Sequence, residues 1–227
     1  MIRPAITLRR RRIVVDVDTQ RDFFLAEGTA CIRNHRRVLA NIRRVIAWAR
    51  LKNIRMISTA QIYDNDDSKH NYCLDESLGQ KKISYTVREK HVCYAADGCT
   101  DLPRDILRQY DQIILQKRCP DPFNEPRADR ILSEVRANEF ILIGAAAEDS
   151  IQSTALGLLS RRKNVVILTD ATGYHDRGAA EIALRKAEAK GAKLIDTKSL
   201  LGSTHLRLVG ICGCDRCQGR MKKTSVA

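Results

Sequence analysis

The sequence predicts an α/β protein: a Rossmann-like three-layer sandwich with a mostly parallel six-stranded sheet and helices on both faces. Three observations carry that prediction. Short aliphatic and β-branched runs recur along the chain, longer amphipathic stretches separate them, and the two kinds alternate. Such alternation implies a parallel sheet covered on both sides, joined by right-handed crossovers. At roughly 150 residues per domain, 227 residues with 44% hydrophobic content make one domain with a substantial core.

The elements follow in order. Residues 13–17 form a strand, and 34–53 a helix in which Val38, Leu39, Ile42, Ile46 and Trp48 share a face. Residues 54–59 are a second strand and 113–115 a third. Between them, 60–98 carries clusters of Asp and Asn and reads as a long loop or lid. The second half reads as helix 127–138, strand 140–143, helix 150–162, strand 165–168, helix 178–190 and strand 193–195. The chain divides into a basic arm (1–11), the domain (12–202) and a basic tail rich in cysteine (203–227).

The formal net charge is +13, and residues 1–55 carry most of it, with 14 Lys and Arg against 4 acids. Arg9 to Arg12 and the arginines from Arg33 to Arg55 form a basic region that attracts polyanions such as nucleic acid. With only 5% aromatic residues and no RNA-binding, zinc-finger or helix-turn-helix signature, a solvated helix face with a basic arm is the plainer expectation. No apolar run approaches the roughly 20 residues of a membrane span, so a soluble cytoplasmic protein is expected. Eight cysteines in a chain of this length and core content read as reduced thiols rather than a disulfide scaffold.

In parallel sheets ligands bind beyond the carboxyl ends of the strands. That rule selects Asp16, Asp18, Gln20 and Asp22 after the first strand, Lys117 and Arg118 after the third, and residues 144–150 after the fourth. Their local sequences are D-T-Q-R-D-F (18–23), L-Q-K-R-C-P-D-P-F around Lys117, and G-A-A-A-E-D-S-I (144–151). In this order they resemble the isochorismatase-like, or cysteine hydrolase, family, whose motifs read D-x-Q-x-D-F, a Lys, and G-V-A-T-D-x-C-V. The resemblance spans roughly residues 12–202. It implies a hydrolase of small molecules that assembles as a dimer or tetramer. Asp18 takes the role of proton-handling carboxylate, and Lys117 that of the ammonium that holds it. Gln20, Phe23 and Phe123 become pocket residues, and Asp22 orders the first loop and reaches toward Lys117. The family's non-prolyl cis peptide falls at Ala145–Ala146, where the amides of Ala146 or Ala147 and of Ser150 would form an anion pocket.

The departures matter as much as the matches. The nucleophile position is Ser150, not Cys. A neighbouring Lys and a helix N-terminus can bring a thiol near pKa 8.5 to thiolate, whereas an alcohol needs a base within hydrogen-bond reach. A Ser–Lys pair requires a neutral amine, and Asp18 favours the ammonium. Isochorismatases in the family work without the cysteine, since vinyl ether hydrolysis needs a general acid, a task within reach of Asp18. Where nicotinamidase members place metal ligands as T-x-D-x-H, this chain has Thr59, Ala60, Gln61, Ile62 and Tyr63. No metal is expected in the cleft, nor nicotinamidase or pyrazinamidase activity.

The expectation is therefore an acid/base hydrolase of an isochorismate-type vinyl ether or an amide. Its rivals are a weak serine amidase and a silent member that binds a small molecule, a protein or nucleic acid. In the tail, Cys212, Cys214 and Cys217 would hold a structural zinc if His205 or Cys31 supplied a fourth ligand.

Overall fold

The structure is a computed structural model that describes the backbone of residues 12–208 and side chains through residue 202. The expected zinc cluster at Cys212, Cys214 and Cys217, the side chain of His205 and the arm 1–11 lie outside the described residues.

The chain runs β1 (Arg12–Val17), α1 (Arg21–Phe24), α2 (His35–Leu51), β2 (Arg55–Gln61), β3 (His91–Tyr94), α3 (Ile106–Gln109) and β4 (Gln112–Lys117). It continues through α4 (Pro126–Glu134), β5 (Glu139–Gly144), α5 (Gln152–Ser160), β6 (Val165–Thr172), α6 (Arg177–Ala189), β7 (Lys193–Ile195) and α7 (Thr197–Leu208). The sheet has the order β3-β4-β2-β1-β5-β6-β7, and every neighbouring pair is parallel. The sheet thus has seven strands, not six. The additional one, β3, lies in the stretch read as irregular. It is a four-residue edge strand whose side chains alternate between exposed and half-buried, so it lacks the buried aliphatic run that marks the five inner strands.

Alternation along the central strands divides the core in two. Val14, Met56, Ile141, Ile143, Val166 and Leu168 pack on one face beneath α2 and α7, with Val38, Ile42, Val45, Ile46 and Trp48 supplied by α2. Ile13, Val15, Val17, Ile57, Leu142 and Ile167 pack on the other face under α3 to α6. Every one of these side chains is at least nine-tenths buried, at roughly 1.5–3 kcal/mol of transfer free energy each.

The stretch between β2 and β4 is sewn to the sheet instead of hanging as a free lid. Residues 19–22 exchange backbone hydrogen bonds with 79–83. The buried Gln20 side chain takes the amide of Gln61 and gives to the carbonyls of Gln61 and Gln80, all at 2.7 Å. Beneath the stretch lies a polar seam. Lys82 Nζ is 3.0 Å from Asp16, Ser58 donates to Asp16, and Gln112 donates to Ser58 and to the Thr86 carbonyl.

The order places the topological reversal at β1, with β2 on one side and β5 on the other, so the crevice opens where β1 and β5 end. Gly144 closes β5 at φ +123°, and the Ala145 amide then donates to Val17 O. A Cβ at 144 would fall inside the van der Waals radius of that same carbonyl oxygen. Gly144→Ala is therefore expected to lose at least about 2 kcal/mol in urea unfolding; a variant with the parent midpoint would show that the loop yields.

Candidate functional site

Four strand ends contribute to one buried cluster. Asp18 follows β1 with φ +49°, a left-handed turn that Asp tolerates and that bends the chain out of the sheet. Gln61 and Lys117 are the last residues of β2 and β4, paired in register. Ser150 follows β5, in a short π-helical turn (Ala147–Ile151) that leads into α5.

Lys117 is fully buried, and its ammonium sits among oxygens from all four segments. Nζ lies 2.8 Å from Asp18 Oδ2 and donates to Gln61 Oε1 (2.5 Å), the Cys119 carbonyl (3.0 Å) and Ser150 Oγ (3.1 Å). Asp18 is likewise fully buried. Its Oδ1 accepts from Thr59 Oγ1 at 2.6 Å, whereas Oδ2 meets Lys117 as an ion pair without hydrogen-bond alignment. One carboxylate oxygen is thus anchored, and the other keeps an uncommitted lone pair. Gln61 Nε2 is also buried without a partner among the described residues, leaving a spare donor beside that spare acceptor.

The structure therefore gathers Asp18, Lys117 and Ser150 as the sequence predicts. Other expectations are redirected. Gln20 is spent on the backbone ties described above. Asp22 accepts from Thr29 and from the Cys73 amide rather than reaching Lys117, because the turn of α1 aims its carboxylate at those loops. Phe23 stands as a wall, edge-on to Tyr72 at 5.5 Å and 6.2 Å from the His175 ring. The Phe123 ring fills the space over Gly157, with the Arg161 guanidinium 3.9 Å above it. The Ala145–Ala146 peptide is cis, as the resemblance implies. Ala147, however, cannot serve an anion pocket, since its amide donates to Gly173 O in the pairing between this loop and the end of β6.

Residues at the nicotinamidase metal positions have other partners. Gln61 faces the Lys117 ammonium, and Tyr63 stacks flat on His70 at 3.7 Å, with Tyr72 edge-on at 5.3 Å. Burial, then the hydrogen bond with Tyr72 and the charges of Asp149 and Asp18, pushes the Tyr63 phenol well above its ordinary range. An amide and a neutral phenol so engaged do not fit a metal, and the described residues contain no cluster of three His, Cys, Asp or Glu able to hold one. The five described cysteines are free. Cys73 feels both Asp18 and Lys117, but burial dominates and raises its thiol far from thiolate formation, so it does not replace the missing nucleophile.

Sequence reasoning missed Asp149, at the solvent-facing mouth. Burial raises its carboxyl above the usual range; the Lys117 ammonium opposes this, while Asp18 and Glu148 add to it. Its place next to Ser150 was a weak signal. Tyr72, which packs on Tyr63, was invisible because it comes from the long stretch after β2.

A carboxyl raised on folding is favoured in its protonated form, so its contribution is lost as pH climbs through the folded value. Asp149→Asn is expected to unfold at higher urea than the parent at neutral pH, with the gap closing near about pH 3.5. A gap of equal size at both pH values would contradict the shift.

Comparison with known proteins agrees with this geometry. The isochorismatase domain matches residues 12–199. No curated protein sequence matches significantly. Among solved structures, an isochorismatase family protein from Desulfovibrio vulgaris has 18% identity and a TM-score of 0.66, covering 84% of this chain and 96% of its own. A pyrazinamidase of Pyrococcus horikoshii in complex with zinc has 18% identity and a TM-score of 0.65, covering 82% and 99%. A Caenorhabditis elegans ribonuclease has 20% identity and a TM-score of 0.58, covering 94% and 88%. With the domain match spanning the whole sheet and the strand ends carrying Asp18 and Lys117, the chain belongs to the isochorismatase family.

Proposed function

We propose that this protein is a hydrolase that works by proton transfer at Asp18, on a small metabolite of the isochorismate-type vinyl ether class, without a covalent nucleophile. The observation that carries the reading is the asymmetry of the Asp18 carboxylate, with Oδ1 held by Thr59 and Oδ2 open beside Lys117. Oδ2, with its free lone pair, takes up a proton when substrate binds; Asp18 then delivers that proton to the terminal enol ether carbon, and water adds to the oxygen-stabilised cation. The added water gives a proton back to the Asp18 carboxylate, and the neutral hemiketal collapses to a carbonyl compound and an alcohol. Lys117 fixes the carboxyl group, and the spare Gln61 donor orients a substrate oxygen. Ser150 accepts from Lys117, so its hydroxyl has no base on it; it is a positioning residue.

The test is product release by the parent, Asp18→Asn and Ser150→Ala proteins: pyruvate from isochorismate, and ammonia from an amide panel. Pyruvate release that falls by at least about 100-fold in Asp18→Asn and survives Ser150→Ala is expected. Ammonia release lost in Ser150→Ala would replace this reading with a serine amidase. An RNA oligonucleotide belongs in the panel because a ribonuclease shares the fold. Silence on every substrate would favour a binding member of the family.

A further inference from the structure

The end of the sheet opposite the Asp18 cluster carries a groove of about 810 Å³. Seven Lys and Arg line it against two acids, over a floor that includes Ile13, Ile54, Leu107 and Val135. We propose that this groove binds the phosphodiester backbone of single-stranded nucleic acid without reading its sequence.

Three observations point there. First, Lys52, Arg104 and Arg136 line the groove, are exposed, and have no ion pair or side-chain hydrogen bond among the described residues. They come from three separate segments, after α2, before α3 and after α4, and so offer a chain of phosphates three unengaged cations. Second, Arg55 is paired with Asp111, and among the described residues the same carboxylate is the sole anion within 4 Å of the buried Arg88 guanidinium. Arg88 Nη1 has no hydrogen-bond partner among the described residues, and the charges of Arg50 and Arg55 add to burial in lowering its pKa. This end of the molecule holds more positive charge than it neutralises. Third, Arg12 lines the groove at the point where residues 1–11, with Arg3, Arg9, Arg10 and Arg11, join the fold.

Arginine forks suit phosphate oxygens. No aromatic side chain lines the groove, so there is no platform for stacking bases. Contact is then with the backbone, and RNA and DNA bind alike.

The arginine-rich region of the sequence is split by α2. Arg33, Arg36 and Arg37 lie at the start of that helix, where Asn34 donates to the end of β6, on the side of the Asp18 site. Lys52 and Arg55 lie at the far end of α2 and in the groove. This supplies an internal control of equal charge.

The experiment measures fluorescence anisotropy of labelled mixed-sequence RNA and DNA of about 20 nucleotides, with full-length protein, over about 50–300 mM salt. Lys52→Gln/Arg104→Gln/Arg136→Gln is expected to weaken binding of both at least about tenfold. The slope of log K against log salt should fall by about two, for three lost single-strand contacts. Arg33→Gln/Arg36→Gln/Arg37→Gln should bind within about threefold of the parent. Equal loss in both triple variants would mean net charge alone attracts the oligonucleotide, and overturns the groove. Parent-like binding by the groove variant does the same. Polyglutamate binding as tightly as the oligonucleotide would point to an acidic protein instead. All six residues are exposed, so the variants should fold, which far-UV circular dichroism checks. None of these outcomes depends on the Asp18 chemistry.

Discussion

Lys117 holds a primary ammonium fully away from water, and satisfying it requires oxygens from four separate segments of the chain. A buried charge costs several kcal/mol unless it is paired and hydrogen-bonded, and removal of one partner typically costs about 3–5 kcal/mol. The carboxylate after β1, the amide ending β2, the carbonyl of Cys119 and the hydroxyl after β5 must therefore arrive together. The ammonium acts as a register mark for the crevice: strands shifted by one residue would turn Lys117 or Gln61 to the other face and leave the charge unpaired. Site geometry and sheet geometry are in this sense one constraint.

The same cluster accounts for what replaced the usual thiol and metal. An ammonium that donates to Ser150 does not take its proton, which leaves the hydroxyl without a base among the described residues. At the two positions that bear metal ligands in nicotinamidases, Gln61 now completes the lysine cage and Tyr63 joins a packed group of rings with His70, Tyr72 and Phe23.

The sequence made legible whatever depends on local pattern. Aliphatic runs revealed six strands, and five of them, β1, β2, β4, β5 and β6, are buried inner strands, which in a parallel sheet are apolar on both faces. Helix α2 stood out because its 3.6-residue spacing is long and regular. Asp18, Lys117 and Ser150 were legible because strand ends are where such sheets bind ligands. What escaped depended on partners distant in sequence. The edge strand β3 takes its identity from β4, not from its own four residues. Gln20 looked like a pocket residue because nothing local reveals that its amide will bind backbone 41 and 60 residues away. The Ala147 amide looked free because its acceptor, Gly173, is on another strand.

The seam between Asp16, Lys82, Ser58 and Gln112 has a consequence for motion. Apolar contacts can be lost one at a time at a graded cost, but this network fails as a unit: lifting residue 82 strands a fully buried carboxylate, and lifting 86 removes an acceptor from Gln112. The covering stretch is thus held to the sheet as one block rather than contact by contact. A stretch that looks irregular in sequence is, in the fold, fastened by charge and hydrogen bonds that must all be present together.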